Sequence, residues 1–278
     1  MHNVTDLHSW IGKEQIHVAT IDHHQAMLIS NTLGVETPPS GAPLPGLWHW
    51  CWFTDALPAS ELGRDGHSKK GGFLPPVPLP RRMWAGGQIE FLRPIEIGVA
   101  CTKRSTIVDV QEKQGRSGSL CIVTVKHELS VFDELCLVEH QNLVYREDPK
   151  GDGPTASPPL PPANPMVSRT IVPDPILMFR YSALTFNGHR IHYDVDYARD
   201  VEGYRDLVFH APLSATLLHA LATEMADGNA ISRFSYRATS PVFCNEDLKF
   251  CGRIETDKIV VWTENSEGHQ AMIAEAQV

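Results

Sequence analysis

Residues 181–198 read YSALTFNGHRIHYDVDYA. Within six positions the stretch gathers an amide, two imidazoles and a guanidinium: Asn187, His189, Arg190 and His192. Apolar Ala183, Leu184 and Phe186 precede them, and Tyr193 and Tyr197 follow. Polar groups set this densely beside apolar ones are costly to bury unless each finds a partner or a task. A ligand is expected here.

Working outward, the chain divides at residues 147–165, EDPKGDGPTASPPLPPANP. Proline fixes φ and lacks a donor, so neither helix nor inner strand survives such a density. The expected organisation is an N-terminal unit at 1–146, a linker at 147–165 and a C-terminal unit at 166–278. In the first unit, Asp22 or Thr20 can cap a helix running to Leu33, with Gly34 as its stop. Strand-like runs follow at 88–91, 106–110, 120–129 and 135–144, the second and third joined as a hairpin across Gly115 to Gly118. In the second unit, Leu213, Leu217, Leu218 and Leu221 recur at helical spacing from Pro212, and Gly228 ends the helix. Strand-like runs lie at 233–238, 248–254, 258–263 and 270–278. Each half reads as a helix followed by an antiparallel sheet, with the two sheets able to join side by side.

The 278 residues, 42% hydrophobic and 21% charged, describe an ordinary globular chain. A formal net charge of −9 argues against a broad nucleic-acid surface. No run approaches the roughly 18 apolar residues of a membrane helix, and no targeting peptide is visible. The six cysteines form no C-x-x-C pair, and Cys121, Cys136 and Cys251 sit in strand-like runs as small apolar residues. A reducing cytoplasm is the expected location.

Leu184 to Ala198, LTFNGHRIHYDVDYA, resembles without a gap the hydratase motif of MaoC-like enoyl-thioester hydratases, roughly L-S-G-D-x-N-P-L-H-x-D-x-x-[FY]-A. It is most similar to the two-domain branch of type 2 hydroxyacyl-thioester dehydratases and mesaconyl-CoA or itaconyl-CoA hydratases, where T-F-N-x-H-R-I-H-Y-D is typical. LVFHAPLSATLL at 207–218 is similar to that family's H-G-P-L segment entering the central helix, and FLPPVPLPRRMWAGGQIEF at 73–91 looks like its N-terminal half. The resemblance implies an α+β double hot-dog fold, two antiparallel sheets each wrapping a central helix. It implies a hydro-lyase that adds or removes water across the double bond of an enoyl-CoA, with a short branched dicarboxylic acyl group such as mesaconyl or itaconyl. No cofactor is implied, coenzyme A being part of the substrate; neither nucleic acid nor membrane is a partner, and a homodimer is an open option. The alternatives are a fatty-acid-type (R)-3-hydroxyacyl-thioester dehydratase, a hot-dog thioesterase, and a non-catalytic acyl-thioester binding module.

Such chemistry needs a polarised thioester carbonyl, a water deprotonated at the β-carbon and a proton for the α-carbon. His192 is expected as the principal base and acid, since imidazole titrates near ~6.5. Asn187 stands where the motif has its aspartate and can orient water or carbonyl, but an amide cannot act as a base. His189, in the motif's asparagine position, shares proton transfer or serves as a hydrogen-bonding strut. The N–H of Ala211, where the motif has glycine, faces the thioester oxygen at a helix start. Arg190 meets the substrate's second carboxylate or pairs with Asp194 or Asp196. Asp194 is read as the cap of a short helix containing Tyr197 and Ala198. His210 fixes the loop before the long helix. Arg81 and Arg82 bind coenzyme A phosphates or form a structural ion pair, and Tyr181 is placed with the substrate-binding residues. His189-x-x-His192 lacks the further ligands of a metal site, and no metal is expected. The aromatic run GLWHWCWF at 46–53 packs the core or shares an acyl-tunnel wall. The first half has no N-x-H-R-I-H equivalent and is expected to lack the chemistry.

Overall fold

A computed structural model describes residues 6–115, 118–148 and 157–278. The first half contains β1 (Glu14–Thr20), α1 (His23–Leu33), β2 (Arg81–Phe91), β3 (Ala100–Gly115), β4 (Gly118–Val131) and β5 (Glu134–Arg146). The second contains β6 (Val167–Ile171), α2 (Pro175–Leu184), α3 (Val195–Asp200), α4 (Ala211–Met225), β7 (Arg233–Ala238), β8 (Leu248–Ile254), β9 (Ile259–Glu264) and β10 (Gln270–Gln277). The tip of the expected hairpin, residues 116 and 117, and linker residues 149–156 lie outside the described residues.

Among the described residues the strands form one sheet of ten, in the order β1-β3-β4-β5-β2-β7-β10-β9-β8-β6. The two expected sheets join edge to edge where β2 pairs antiparallel with β7, Gly86 opposite Arg237 and Gly87 opposite Tyr236. Side chains would block this seam. A Cβ on Gly86 would lie 2.5 Å from the Tyr236 carbonyl oxygen, and one on Gly87 would lie 2.4 Å from that of His140.

Local chemistry explains the helices. Asp22 accepts a hydrogen bond from the Gln25 N–H at 2.9 Å, and Gly34 closes α1 in the left-handed region at φ 69°. The helix α4 lies across β7 to β10. It is buried on most sides, with Leu213, Leu218 and Leu221 against the sheet and Ser214, Ala215 and Ala222 allowing close approach. Burying each of the fully covered Leu213 and Leu218 contributes about 2 kcal/mol. The last helical residue is Met225, and Asp227 and Gly228 follow in the left-handed region at φ +49° and +86°, so the chain turns away at the expected glycine.

The first half departs from the expected plan. Its helix α1 packs against α2. The aromatic run turns through a short 3-10 segment at Trp48–Cys51 and buries Trp48, Cys51, Trp52 and Phe53. These join Ile89, Tyr181, Leu213, Leu218 and Phe234 in one core cluster spanning both halves. Beside it, β5 buries a carboxylate, Glu139, which accepts hydrogen bonds from His49 (3.1 Å), Trp50 (3.1 Å) and Tyr236 (3.2 Å). All six cysteines are buried free thiols.

Candidate active site

The motif loop leaves α2 at Leu184 and reverses through Phe186, whose φ is +50°. The Asn187 N–H donates to the Ser182 carbonyl at 2.8 Å, and Asn187 Oδ1 accepts the His189 N–H at 3.0 Å. The carbonyl of this amide is thereby committed to the turn, which leaves its NH2 as a donor. A 3-10 turn at Arg190–His192 follows, and Asp194 caps α3 by accepting the Tyr197 N–H at 3.0 Å, as expected of it.

This local fold lines up a row of imidazoles. His192 is buried, and its Nδ1 lies 2.6 Å from the Val208 carbonyl oxygen. A carbonyl only accepts, so Nδ1 carries the proton and Nε2 keeps its lone pair. Burial lowers the His192 pKa to about 4 despite the opposing pull of that carbonyl. The ring of His210 stacks on His192 at 3.8 Å, and that of His189 stands edge-on at 5.4 Å. Burial, reinforced by the neighbouring imidazoles, also holds His189 and His210 well below the ordinary range. His210 fixes the loop entering α4 through a 2.8 Å hydrogen bond to Ser182 Oγ. Ala211 is the first residue of α4, so its N–H is one of the donors a helix start leaves unpaired.

The first half also reaches this row. The loop at 63–70 docks onto the motif loop through its backbone: the Asp65 carbonyl accepts the Arg190 N–H at 2.9 Å. Next to that contact, Gly66 at φ +87° lies so close to Gly188 that a Cβ would sit 1.9 Å from the Gly188 oxygen. His67 is thereby set against His189, ring centroids 4.2 Å apart. Its Nδ1 is 3.0 Å from Asp65 Oδ2, while Asp65 Oδ1 accepts its backbone N–H at 3.1 Å. Burial raises the Asp65 pKa, but the His67 hydrogen bond and the Arg82 charge outweigh it and hold the carboxyl well below the usual range. Burial and Arg82 lower the His67 pKa, and Asp65 pulls against them.

The arginines take different parts. Arg81 is tied to buried Glu202 (Nε to Oε2, 2.6 Å) and lies over the Tyr204 ring, the ion pair being one of its two expected roles. Arg190 holds Asp194 at 2.7 Å, donates to the Arg64 carbonyl at 3.2 Å and stacks over Tyr197. These contacts are those of the strut, one of the two roles expected of Arg190. Arg82, by contrast, forms no ion pair among the described residues. It lines a cleft of about 300 Å³ with Arg64, Asp65, Lys69 and Lys70. Tyr181, from α2, is buried with its ring edge-on to His210 at 5.1 Å, and so backs the row from the core side.

Ligand atoms of Asp65, His67 and His189 lie within 4.8 Å of one another, a span that a divalent ion can bridge. The hydrogen bonds between Asp65 and His67 already account for that closeness. Sequence reading missed Asp65 and His67. Their signal is the run Asp65-Gly66-His67, a glycine between two chemistry-bearing residues, inside a Pro/Gly-rich excursion.

Residues 47–244 match the family model of hydroxyacyl-thioester dehydratase type 2. The chain is 42% identical to the mesaconyl-C(4)-CoA hydratase of Chloroflexus aurantiacus over 98% of both sequences. Among solved structures it superimposes on a MaoC-like dehydratase from Phytophthora capsici with a TM-score of 0.73 at 14% identity, covering 98% of this chain and 97% of that one. It also superimposes on a Mycobacterium tuberculosis protein of double hot-dog fold with a TM-score of 0.59 at 12% identity, covering 98% and 97%. The ten-stranded antiparallel sheet with its central α4 is that α+β double hot-dog fold.

Proposed function

The chain belongs to the hydroxyacyl-thioester dehydratase type 2 family, and from that premise we propose that it hydrates a short dicarboxylic enoyl-CoA of the mesaconyl or itaconyl kind, or runs the reverse dehydration. The observation that carries this reading is His192. Its tautomer is set by Val208, and its Nε2 is unprotonated and free, one loop away from the unpaired N–H of Ala211.

In the hydration direction the Ala211 N–H meets the thioester oxygen, so electron density drawn from the double bond is stabilised as an enolate. The NH2 of Asn187 holds the attacking water. His192 Nε2 takes a proton from that water as its oxygen bonds to the β-carbon. Arg82 is taken as the partner of the free carboxylate, because it forms no ion pair among the described residues and lines the cleft beside Asp65. Lys69, Lys70 and Arg64 give the cleft the sign that coenzyme A phosphates require. We place the enzyme in a reducing compartment such as the cytoplasm, in keeping with six buried free thiols.

Purified protein mixed with crotonyl-, mesaconyl- and itaconyl-CoA tests the reading. Loss of the enoyl absorbance with the thioester intact is expected, faster on the dicarboxylic substrates. Release of free thiol would make the protein a thioesterase, and tight binding without turnover a binding module.

A further inference from the structure

Adding water moves two protons' worth of chemistry: one leaves the water and one arrives at the α-carbon. His192 accounts for the first. A group for the second must be able to hold a proton briefly near the same substrate, and it need not come from the motif loop.

We infer that His67, held by Asp65, is a catalytic residue that protonates the α-carbon, so that the first half of the chain supplies the carboxylate-backed acid that the motif lacks at Asn187. Three observations set His67 in the row of imidazoles. The rings of His67, His189 and His192 run in sequence at 4.2 and 5.4 Å between centroids. Asp65 accepts from both the ring and the backbone of His67, which fixes the Nδ1–H tautomer and turns Nε2 away from the carboxylate. The Gly66–Gly188 approach and the Arg190 N–H to Asp65 carbonyl bond lock the two loops together backbone to backbone, which leaves little freedom for His67 to be elsewhere.

The proton balance closes on this row. The water O–H bond breaks, its oxygen bonds to the β-carbon, and its proton goes to His192 Nε2. The π pair moves to the thioester oxygen as an enolate. His192 gives its proton up to solvent as His67 takes one from solvent at Nε2, where the Asp65 carboxylate makes an imidazolium tolerable. The enolate collapses, its α-carbon takes that proton, and every imidazole is neutral again. Burial that makes the His67 cation reluctant also makes it a strong acid once formed. Dehydration follows the same path in reverse, with His67 as the base at the α-carbon.

This inference rests on the hydratase reading, and the stereochemistry of deuteration separates the two. In heavy water, wild type should give 3-hydroxybutyryl-CoA from crotonyl-CoA with one α-deuterium in a single configuration, read by NMR. His67→Gln should lower kcat by at least about 100-fold. Its residual product should carry deuterium in both α-configurations, because solvent then protonates the enolate from either face. Asp65→Asn, which keeps the shape of the loop, should lower kcat less and retain the single configuration. Thermal melting near wild type guards against a folding artefact. A His67→Gln enzyme with near-normal kcat and a single configuration would overturn the role of His67 and leave the hydratase reading standing. Loss of wild-type activity on chelation, restored by zinc, would also overturn it in favour of a metal held by Asp65, His67 and His189. A wild type that hydrates no enoyl-CoA would remove both.

Discussion

Gly66 and Gly188 meet backbone to backbone, so closely that a Cβ on Gly66 would fall 1.9 Å from the Gly188 carbonyl oxygen. One contact between two residues without side chains thus joins a loop of the first half to the motif loop of the second. Gly66→Ala must both displace a backbone and adopt a φ of +87° that L-residues rarely take. We expect it to cost about 2 kcal/mol or more in urea unfolding, and to lower kcat further than that loss of stability explains.

His192 acts as a base only while neutral, and burial holds its pKa at about 4. Activity on the acid side should therefore stay level well below the usual histidine range and fall as pH drops through about 4. His192→Gln should reduce kcat by roughly 100- to 10,000-fold. Steady-state pH profiles of kcat/KM check the first expectation, and single-turnover rates check the second.

Arg82 and Arg190 make opposite predictions. Arg82→Gln should reduce kcat/KM on mesaconyl- and itaconyl-CoA more than on crotonyl-CoA, because only the first two carry a free carboxylate. Arg190→Gln should reduce all three alike, since the Arg190 guanidinium is engaged by Asp194, Arg64 and Tyr197. Competition assays with paired substrates measure the ratio directly.

Glu139 links the core to acid stability. Burial alone would raise its pKa, but hydrogen bonds from His49 and Trp50 and the nearby His127 charge outweigh it and bring the value to about 2. A carboxylate with a depressed folded pKa contributes stability that is present above its model value of 4.5 and is lost as pH falls toward about 2. Denaturant midpoints should decline across that window. Glu139→Ala should cost about 3 kcal/mol at neutral pH, because His49, Trp50 and Tyr236 lose a common buried acceptor.

Strong local signals made parts of this fold legible in the sequence. Asp22 and Gly34 mark the ends of α1, and β7 and β8 coincide with their apolar runs because their inward residues are buried. The edge strands β1 and β6 were not legible, since neither buries a residue fully and the apolar Ile16 and Val18 of β1 fall on its exposed face. Helix α2 escaped because Ile176 and Phe179 are exposed while Met178, Tyr181 and Leu184 are buried, so no single apolar stripe stands out. The strand-like run was legible only from 88, yet β2 opens at Arg81 and Arg82, and its pairing with β5 is a long-range fact. At the site, Asn187, His189 and His192 are neighbours in sequence and could be found together. Asp65 and His67 lie in the other half of the chain, and only the docking of the two loops brings them within reach.

The central claim is that water adds to the acyl chain and leaves the thioester whole. Mesaconyl-CoA incubated with the wild-type protein in water enriched in heavy oxygen tests it most directly. Mass spectrometry should find one labelled oxygen on the acyl chain of an intact CoA ester. Label in a free acid, with coenzyme A released, would contradict the account.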